Sequence, residues 1–455
     1  GSAGIATVTI TGGGFTPDAE GNLYAGTDAG ACSGSGSKCN IAIGNYALCS
    51  NTTGDYNTVF GFYAGCGATG GGNVLIGCRA GAQLGNSLNN VMIGGATGFS
   101  HVGGGYNVYV GKCAGYGSTT GSCDIMIGYE AGYESTYANS ATYGGCNVFI
   151  GRSAGRKISD SGEGSVFIGA YAGACATVKC GVAIGCGALQ SKGCGSQDHL
   201  VAIGWRALNS LQTGTRTVAI GDGTGNATTT GSQNFFGGYM AGANNTTGSY
   251  NTFLGGNRAG CYNQTGNYNT YIGNLAGRCG CNNSCSTIMG ASAGYYSTGG
   301  CNTFIGAGVA ANSGVSGCFN ALLGFQAGCC MGASMDSNVF LGAKAGHTQT
   351  AGHCNIAIGK DVTLASTSGG NQLAIGAGSN RWLTGDSSYH IQPGAGIRDK
   401  DGDLGTAGQV LSSTGTQLNW IDAGGGGGSG GCLKLIGTGN YVSDGSCSGC
   451  DLSGT

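Results

Sequence analysis

A nine-residue pattern, Asn-x-x-x-Gly-x-x-Ala-Gly, recurs along most of the chain and restricts its fold more than any other feature. Its central glycine occurs 21 times between Gly26 and Gly376, so 350 residues form 20 intervals with a mean length of 17.5. This period is too short for helix-pair repeats or propeller blades. We therefore predict an all-β fold, a parallel β-solenoid or β-roll of about 21 coils with glycine turns, which would rise about 100 Å at the usual strand spacing. Clear copies of the pattern contain Asn57 and Gly61, Asn73 and Gly77, Asn147 and Gly151, Asn269 and Gly273, and Asn338 and Gly342.

The three residues before each central glycine are apolar in most copies, as in Val74-Leu75-Ile76. The first and third share one strand face, and we expect them to fill the interior of the solenoid. The middle residue would then point outward, although it too is apolar. A strand that is apolar on both faces is buried on both, so we predict that the outward face packs on other copies of the chain, preferably in a trimer. A second layer formed by the same chain is the alternative.

The asparagine and the glycines of the pattern are interpreted as structural residues. Asparagine precedes the central glycine by four residues in 13 of the 21 copies. Its side chain can form hydrogen bonds from coil to coil or stabilise a turn. The glycines indicate tight corners that need a positive φ or a close approach of two backbones.

Composition excludes several other classes of protein. With 101 glycines but only 2 prolines, the chain is not collagen-like. Hydrophobic residues make up 40% and charged residues 8%, the opposite of a disordered chain. The formal net charge of −2 gives no reason to expect nucleic acid as a partner, and no apolar run reaches the roughly 18 residues of a membrane span. We predict no nucleic-acid binding and no membrane insertion.

Changes in the pattern divide the chain into five segments. We predict a lead-in at 1–20, the solenoid shaft at 21–380 and a non-repeat connector at 381–423. A Gly/Ser linker follows at 424–431, and a short cysteine-containing tail, or the start of a further module, at 432–455. The one long interval, from Gly128 to Gly151, predicts a loop inserted around Ser135–Tyr143.

Half of the 24 cysteines recur at a few fixed positions in the repeat. Cys123, Cys146, Cys285 and Cys301 each lie five residues before a central glycine, which places cysteines of neighbouring coils close together. Disulfides from coil to coil or chain to chain are possible where the Cα atoms come within about 7 Å. Thiols that only fill space are the alternative, and metal binding fits the spacing less well.

The remaining chemical motifs are explained by the repeat or are incomplete. Gly-x-Ser-x-Gly occurs at Ser153 and Ser292, but both serines occupy an ordinary position of the repeat. Asp399, Asp401 and Asp403 resemble the start of a calcium loop, yet Leu404 stands where such a loop needs glycine. We predict no catalytic residue, metal or cofactor. An ice-binding solenoid would need threonine in nearly every coil, and a polysaccharide-cleaving enzyme would need paired carboxylates; the sequence favours neither.

The repeat resembles two groups of surface proteins. Asn40-Ile-Ala-Ile-Gly44 is similar to the coils of the β-roll heads of trimeric autotransporter adhesins. Asn251-Thr-Phe-Leu-Gly255, with spacers such as Thr246-Thr247-Gly248, resembles glycine-rich tail-fibre and virion-appendage proteins of marine phages that infect cyanobacteria. The segment from Gly405 through Trp420 also looks like a connector of such fibres.

The resemblance implies a structural or adhesive fibre of a phage virion, located on the virion surface or extracellularly, that serves host attachment. A homotrimer, other virion or surface-fibre proteins and a host surface receptor are the expected partners. A bacterial extracellular adhesin or surface filament subunit is the alternative.

Overall fold

The computed structural model describes residues 17–34, 36–135, 145–158, 164–176, 178–190, 197–280, 282–311, 314–406, 409–413 and 418–422. They belong to two compact units, Gly1–Gln392 and Pro393–Thr455. Most of the predicted lead-in, the inserted loop after Ser135, the linker at 424–431 and the tail at 432–455 lie outside the described residues.

The described residues form strands and turns and contain no helix. The strands are β1 Leu23–Ala25, β2 Ile41–Ile43, β3 Thr58–Phe60, β4 Val74–Ile76, β5 Val91–Ile93, β6 Val108–Val110, β7 Ile125–Ile127, β8 Val148–Ile150, β9 Val166–Ile168, β10 Val178–Lys179, β11 Val182–Ile184, β12 Gln197–Asp198, β13 Val201–Ile203, β14 Val218–Ile220, β15 Phe235–Tyr239, β16 Thr252–Asn257, β17 Thr270–Ile272, β18 Thr287–Met289, β19 Thr303–Ile305, β20 Ala321–Leu323, β21 Val339–Leu341, β22 Ile356–Ile358, β23 Leu373–Ala377, β24 Asn380–Gly385, β25 Ile391–Pro393, β26 Gln409–Ser413 and β27 Leu418–Asp422.

The first unit is a parallel β-solenoid, which confirms the predicted fold class. Twenty-one strands, β1 to β23 without β10 and β12, pair in parallel with the next strand of the series. The register repeats from coil to coil, so that Val74, Leu75 and Ile76 lie beside Val91, Met92 and Ile93. The series ends where β24 pairs antiparallel with β23, and β10 and β12 form a small parallel ladder of their own. Equivalent residues therefore lie in columns along the unit.

The predicted inside and outside of the strands were wrong and are reversed in the structure. The middle residue of the triplet is buried in every ladder strand except β1, whereas the first and third residues are half-buried or exposed. Leu75, for example, is 0% exposed and Ile76 is 37% exposed. Alternation along a strand separates the two faces but does not say which one is inside. The asparagine identifies the inner face, because it lies two residues before the middle residue, shares its strand face and is buried.

In the coils whose middle strand residue is large, that side chain lies over the last glycine of the pattern. A Cβ atom added to Gly155 would lie 2.7 Å from Phe149 Cδ2, and one added to Gly277 would lie 2.6 Å from Tyr271 Cδ2. Both glycines have positive φ values, 57° and 56°. The Ala-Gly pair is small because the ring of its own coil occupies the space above it.

In the second unit, β26 and β27 form an antiparallel hairpin. The Asp399 carboxylate accepts hydrogen bonds from the backbone N–H groups of Asp401, at 3.0 Å, and Asp403, at 2.9 Å. The acidic run therefore forms a turn that Asp399 stabilises. Within the described ranges, no group of three or more His, Cys, Asp or Glu side chains is arranged to hold a metal ion.

Candidate functional site

The central glycines form a column in which each backbone nearly touches the next. Gly61 has a φ of 137°, and a Cβ atom on it would lie 2.5 Å from the carbonyl oxygen of Gly77. Gly77 stands in the same relation to Gly94, at 2.6 Å. Gly151, Gly273 and Gly342 repeat this geometry, with φ values of 130°, 133° and 132°. No L-residue adopts this backbone conformation readily, so these residues build the corner and offer no side chain to a ligand.

The asparagines form a buried ladder of hydrogen bonds. Asn57 Nδ2 donates to Asn40 Oδ1 at 3.0 Å and to the carbonyl of Gly70 at 3.0 Å. Its backbone N–H donates to the same Asn40 Oδ1 at 2.8 Å. Each carboxamide thus joins two coils and a turn, a role that gives no free polar group for chemistry. Four further residues bond the preceding coil through Nδ2: Asn73 at 3.1 Å, Asn147 at 3.1 Å, Asn269 at 3.1 Å and Asn338 at 2.9 Å.

Asp124 replaces an asparagine in this ladder, and sequence reasoning missed it. Its Oδ1 accepts hydrogen bonds from Asn147 N at 2.9 Å and Asn147 Nδ2 at 3.1 Å. Its Oδ2 is buried and has no hydrogen-bond partner among the described residues. Burial raises the pKa of Asp124 to about 7, against the lowering effect of the Asn147 hydrogen bonds. The protonated acid carries an O–H and is therefore a hydrogen-bond donor, as the Nδ2 group of asparagine is.

Cysteines of neighbouring coils lie beside one another, although the contacts differ between pairs. Cys146 N donates to Ser122 O at 3.0 Å and Cys301 N to Ser284 O at 2.8 Å, so Cys123 lies beside Cys146 and Cys285 beside Cys301. All four side chains are exposed. Burial and the thiols of Cys285 and Cys318 raise the pKa of Cys301.

One close pair of cysteines was not recognised as a pair from the sequence. Cys49 Sγ lies 2.6 Å from Cys66 Sγ. Both residues stand five positions after a central glycine, Gly44 and Gly61 respectively, and this shared position is the signal that identifies them.

The two Gly-x-Ser-x-Gly matches are turn positions of the repeat. Ser153 and Ser292 have φ values of 51° and 54°, close to the 55° of Tyr63 at the equivalent position. Their backbone N–H groups donate to the preceding coil, at 2.9 Å to Tyr129 O and 2.8 Å to Asn274 O. In the described part of the chain neither hydroxyl contacts a histidine, so no nucleophile–base pair is formed there.

A shallow pocket near the end of the ladder is lined by Cys354, Leu373, Asp386, Tyr389 and His390, among others. His390 Nδ1 lies 3.2 Å from Asp386 Oδ2, and both side chains are exposed. The same Asp386 carboxylate accepts the N–H groups of Ser388, at 2.9 Å, and His390, at 3.0 Å. These bonds, with His390 N–H first, hold the pKa of Asp386 below its usual value. The arrangement stabilises a turn.

The most extensive unusual surface is the outer face of the ladder, which we call the ladder face. It consists of the first and third residues of the 21 ladder strands, 42 residues in all. Five of them are threonine and none is charged. Four of the threonines, Thr252, Thr270, Thr287 and Thr303, are consecutive in register. A sheet face that meets water normally carries polar and charged residues, and this face carries no charged residue.

Comparisons with known proteins add no relative. No protein-family model matches the chain, no curated protein matches it, and no solved structure matches it. Across the described residues, no helix has the length and apolar character needed to cross a membrane. The β-solenoid itself is compatible with a rigid structural protein.

Proposed function

We propose that this chain is the shaft of an extracellular or virion fibre, and that three copies associate through their ladder faces. The single observation that carries the proposal is the uncharged, apolar ladder face. Its rows of side chains are parallel to the strand stack, so three such faces can meet along one axis. The resemblance of the repeat to phage tail-fibre proteins supports the virion as the setting.

The area of the ladder face suits a permanent interface. Twenty strand spacings of about 4.8 Å give a length of roughly 100 Å, and two rows of side chains give a width of roughly 10 Å. The resulting area of about 1,000 Å² per chain is comparable with the roughly 800 Å² that each partner contributes to a standard stable interface. Ile127, at 37% exposure, and Ile220, at 44%, are typical of the side chains it would bury.

A fibre shaft also requires the subunit to resist bending and unfolding. Each coil is joined to the next by a three-residue parallel pairing, a buried polar or apolar column and a glycine corner. Repeats that contact only their neighbours gain stability from every added interface. A long run of nearly identical coils is therefore well suited to a mechanical role, in which host attachment would reside in other parts of the fibre.

The test is the mass of the full chain in solution by light scattering, with electron microscopy of the same sample. We expect a mass about three times the 44.4 kDa of one chain and unbranched rods. The double variant Ile150→Asp/Ile168→Asp places two charges on adjacent strands of the ladder face, and we expect it to be monomeric with unchanged β-sheet circular dichroism. The matched control, Leu88→Asp/Val102→Asp, changes two exposed apolar residues outside the ladder strands and should stay trimeric.

A monomeric wild-type chain would overturn the proposal of a fibre built through the ladder face. A two-chain mass that the Ile150→Asp/Ile168→Asp variant abolishes would keep the ladder face as the interface but exclude the threefold arrangement. Equal masses for both double variants would show that the association uses another surface.

A further inference from the structure

Three cysteines lie on consecutive coils at one edge of the solenoid. Cys32 N donates to Cys49 O at 3.0 Å, and Ser50 N donates to Cys66 O at 3.0 Å, so the three coils are held in register at this edge. Cys49 and Cys66 are half-buried and Cys32 is exposed. Small molecules in solution can therefore reach the edge where these thiols stand.

The two sulfur atoms of Cys49 and Cys66 are already at the distance of a reacting pair. They are 2.6 Å apart, about half an ångström longer than a disulfide bond of about 2.05 Å. Unbonded carbon atoms rest about 3.5–4.0 Å apart, and sulfur is the larger atom. Adjacent coils stack at about 4.8 Å, which lies inside the range of about 4.4–6.8 Å that Cα atoms span across a disulfide. Bond formation therefore needs no movement of the backbone.

We propose that Cys49 and Cys66 form a disulfide that ties two neighbouring coils together covalently. The reaction uses a small-molecule disulfide such as oxidised glutathione as its oxidant. The Cys49 thiolate attacks one sulfur of the oxidant and releases one thiol. The Cys66 thiolate then attacks the Cys49 sulfur of the mixed disulfide and releases the second thiol. The pair loses two protons and two electrons, and the oxidant is reduced to two thiols.

The environment of Cys66 sets the pH dependence of this step. Burial, together with the adjacent Cys49 thiol, raises the pKa of Cys66 to about 12. Because only the thiolate attacks, formation of the bond should accelerate as the pH rises and the thiolate fraction increases. Cys329 and Cys330, by contrast, are adjacent in sequence, and their sulfurs are 3.5 Å apart.

The experiment is peptide mapping of the full chain after incubation with oxidised glutathione at about pH 8, followed by alkylation of the remaining thiols. Trypsin leaves Cys39, Cys49, Cys66 and Cys78 in one peptide, because no lysine or arginine lies between Lys38 and Arg79. A second cleavage with chymotrypsin, for example after Tyr56, separates Cys49 from Cys66. We expect the two fragments to remain linked until reductant is added, while Cys329 and Cys330 are alkylated.

Two variants test the assignment. In Cys49→Ser, Cys66 should become fully alkylated, with the β-sheet circular dichroism unchanged. The control Cys78→Ser removes an exposed cysteine at another position of the repeat and should leave the Cys49–Cys66 link intact. Full alkylation of both Cys49 and Cys66 in the oxidised wild-type chain, or a link from either one to Cys32, would overturn the proposal. None of these results depends on the oligomeric state.

Discussion

The central coils of the solenoid, which contain β11, β13 and β14, and the coils on either side fill the interior with different side chains. Around β8, β9 and β15 to β17 the middle residues are aromatic and stack in columns, with Phe149 and Phe167 centroids 5.1 Å apart and Phe253 and Tyr271 centroids 4.8 Å apart. In β11, β13 and β14 the middle residue is alanine. Leucine replaces the last glycine of the pattern in two of these coils, as Leu189 and Leu208, and both are 0% exposed.

The polar ladder changes in the same central stretch. The position of the ladder asparagine is occupied by Gly181, Leu200 and Thr217. Leu200 is fully buried, and a Cβ atom on Gly181 would lie 2.2 Å from Val178 Cγ1, which occupies that space. The difference teaches that the repeat conserves the volume of each coil and the corner geometry, whereas the polar ladder is replaceable where apolar side chains fill its column.

The largest expected effect comes from breaking an aromatic column. Phe253 stacks between Phe236, at 5.4 Å, and Tyr271, at 4.8 Å. We expect Phe253→Ala to lower the free energy of local opening by about 4 kcal/mol, because it removes a buried ring and leaves a cavity between two others. Hydrogen exchange of β16 and its neighbours measures it. Tyr106→Ala, at a 66% exposed tyrosine, is the control and should change stability by less than about 0.5 kcal/mol. Equal effects of Phe253→Ala and Tyr106→Ala would show that stacking in the aromatic column does not stabilise the coils.

The second largest effect concerns Asp124, the acid in the asparagine ladder outside the central stretch. The pKa of Asp124 in the folded chain is about 7, whereas an unfolded aspartate has a pKa of about 3.9. The folded state holds the proton more tightly, so stability is greatest below about pH 4 and is lost as the pH rises towards 7. At about 1.4 kcal/mol per unit, Asp124→Asn should gain about 4 kcal/mol at pH 8 and almost nothing at pH 4. Denaturant titrations at both pH values measure this difference.

Other buried groups near Asp124 do not produce the difference between pH 4 and pH 8, because Tyr109 stays neutral at both and His101 is present in both proteins. His101, whose pKa is lowered by burial, and Tyr109, whose pKa burial raises, belong to the coils on the same side. Asn107→Asp places a second acid in the ladder and should lose stability with rising pH. An Asp124→Asn gain that is independent of pH would show that the carboxyl is not the cause.

A smaller loss is expected when a polar ladder residue is introduced into the central stretch. Leu200 has Gly181 and Thr217 as its ladder neighbours, so an asparagine there lacks the carboxamides on both sides. We expect Leu200→Asn to cost about 2 kcal/mol, from lost apolar burial and unsatisfied hydrogen bonds. Leu200→Met, which conserves volume, should cost less than about 1.5 kcal/mol. If Leu200→Asn is neutral, the two kinds of coil are interchangeable and the comparison fails.

The sequence repeat predicts the fold well because the same glycine and asparagine positions recur in most coils. Its period, the glycine corners and the asparagine column are visible in the residues, and the parallel solenoid follows from them. The inside and the outside of the strand were inverted because Val74 and Ile76 are as apolar as Leu75. Asn73 and Leu75 lie two residues apart and therefore share one strand face. This identifies the inner face once the asparagine is known to be buried. Asp124 could be found by asking which residue replaces asparagine, although its protonation depends on burial that no local pattern reveals.

The smallest expected effect tests how much each ladder carboxamide contributes. The ladder already tolerates serine: Ser165 accepts the N–H of Gly181 at 3.3 Å and donates to Val178 O at 3.1 Å. Asn57→Ser should therefore cost only about 1 kcal/mol, the typical net value of a hydrogen bond, because the hydroxyl retains part of the bonding. Asn57→Leu should cost about 3 kcal/mol, since it leaves Gly70 O and the backbone N–H of Asn73 without a partner inside the solenoid. Denaturant midpoints of the two variants measure this difference. If leucine is tolerated at position 57 as well as it is at position 200, the coils outside the central stretch do not depend on the asparagine ladder.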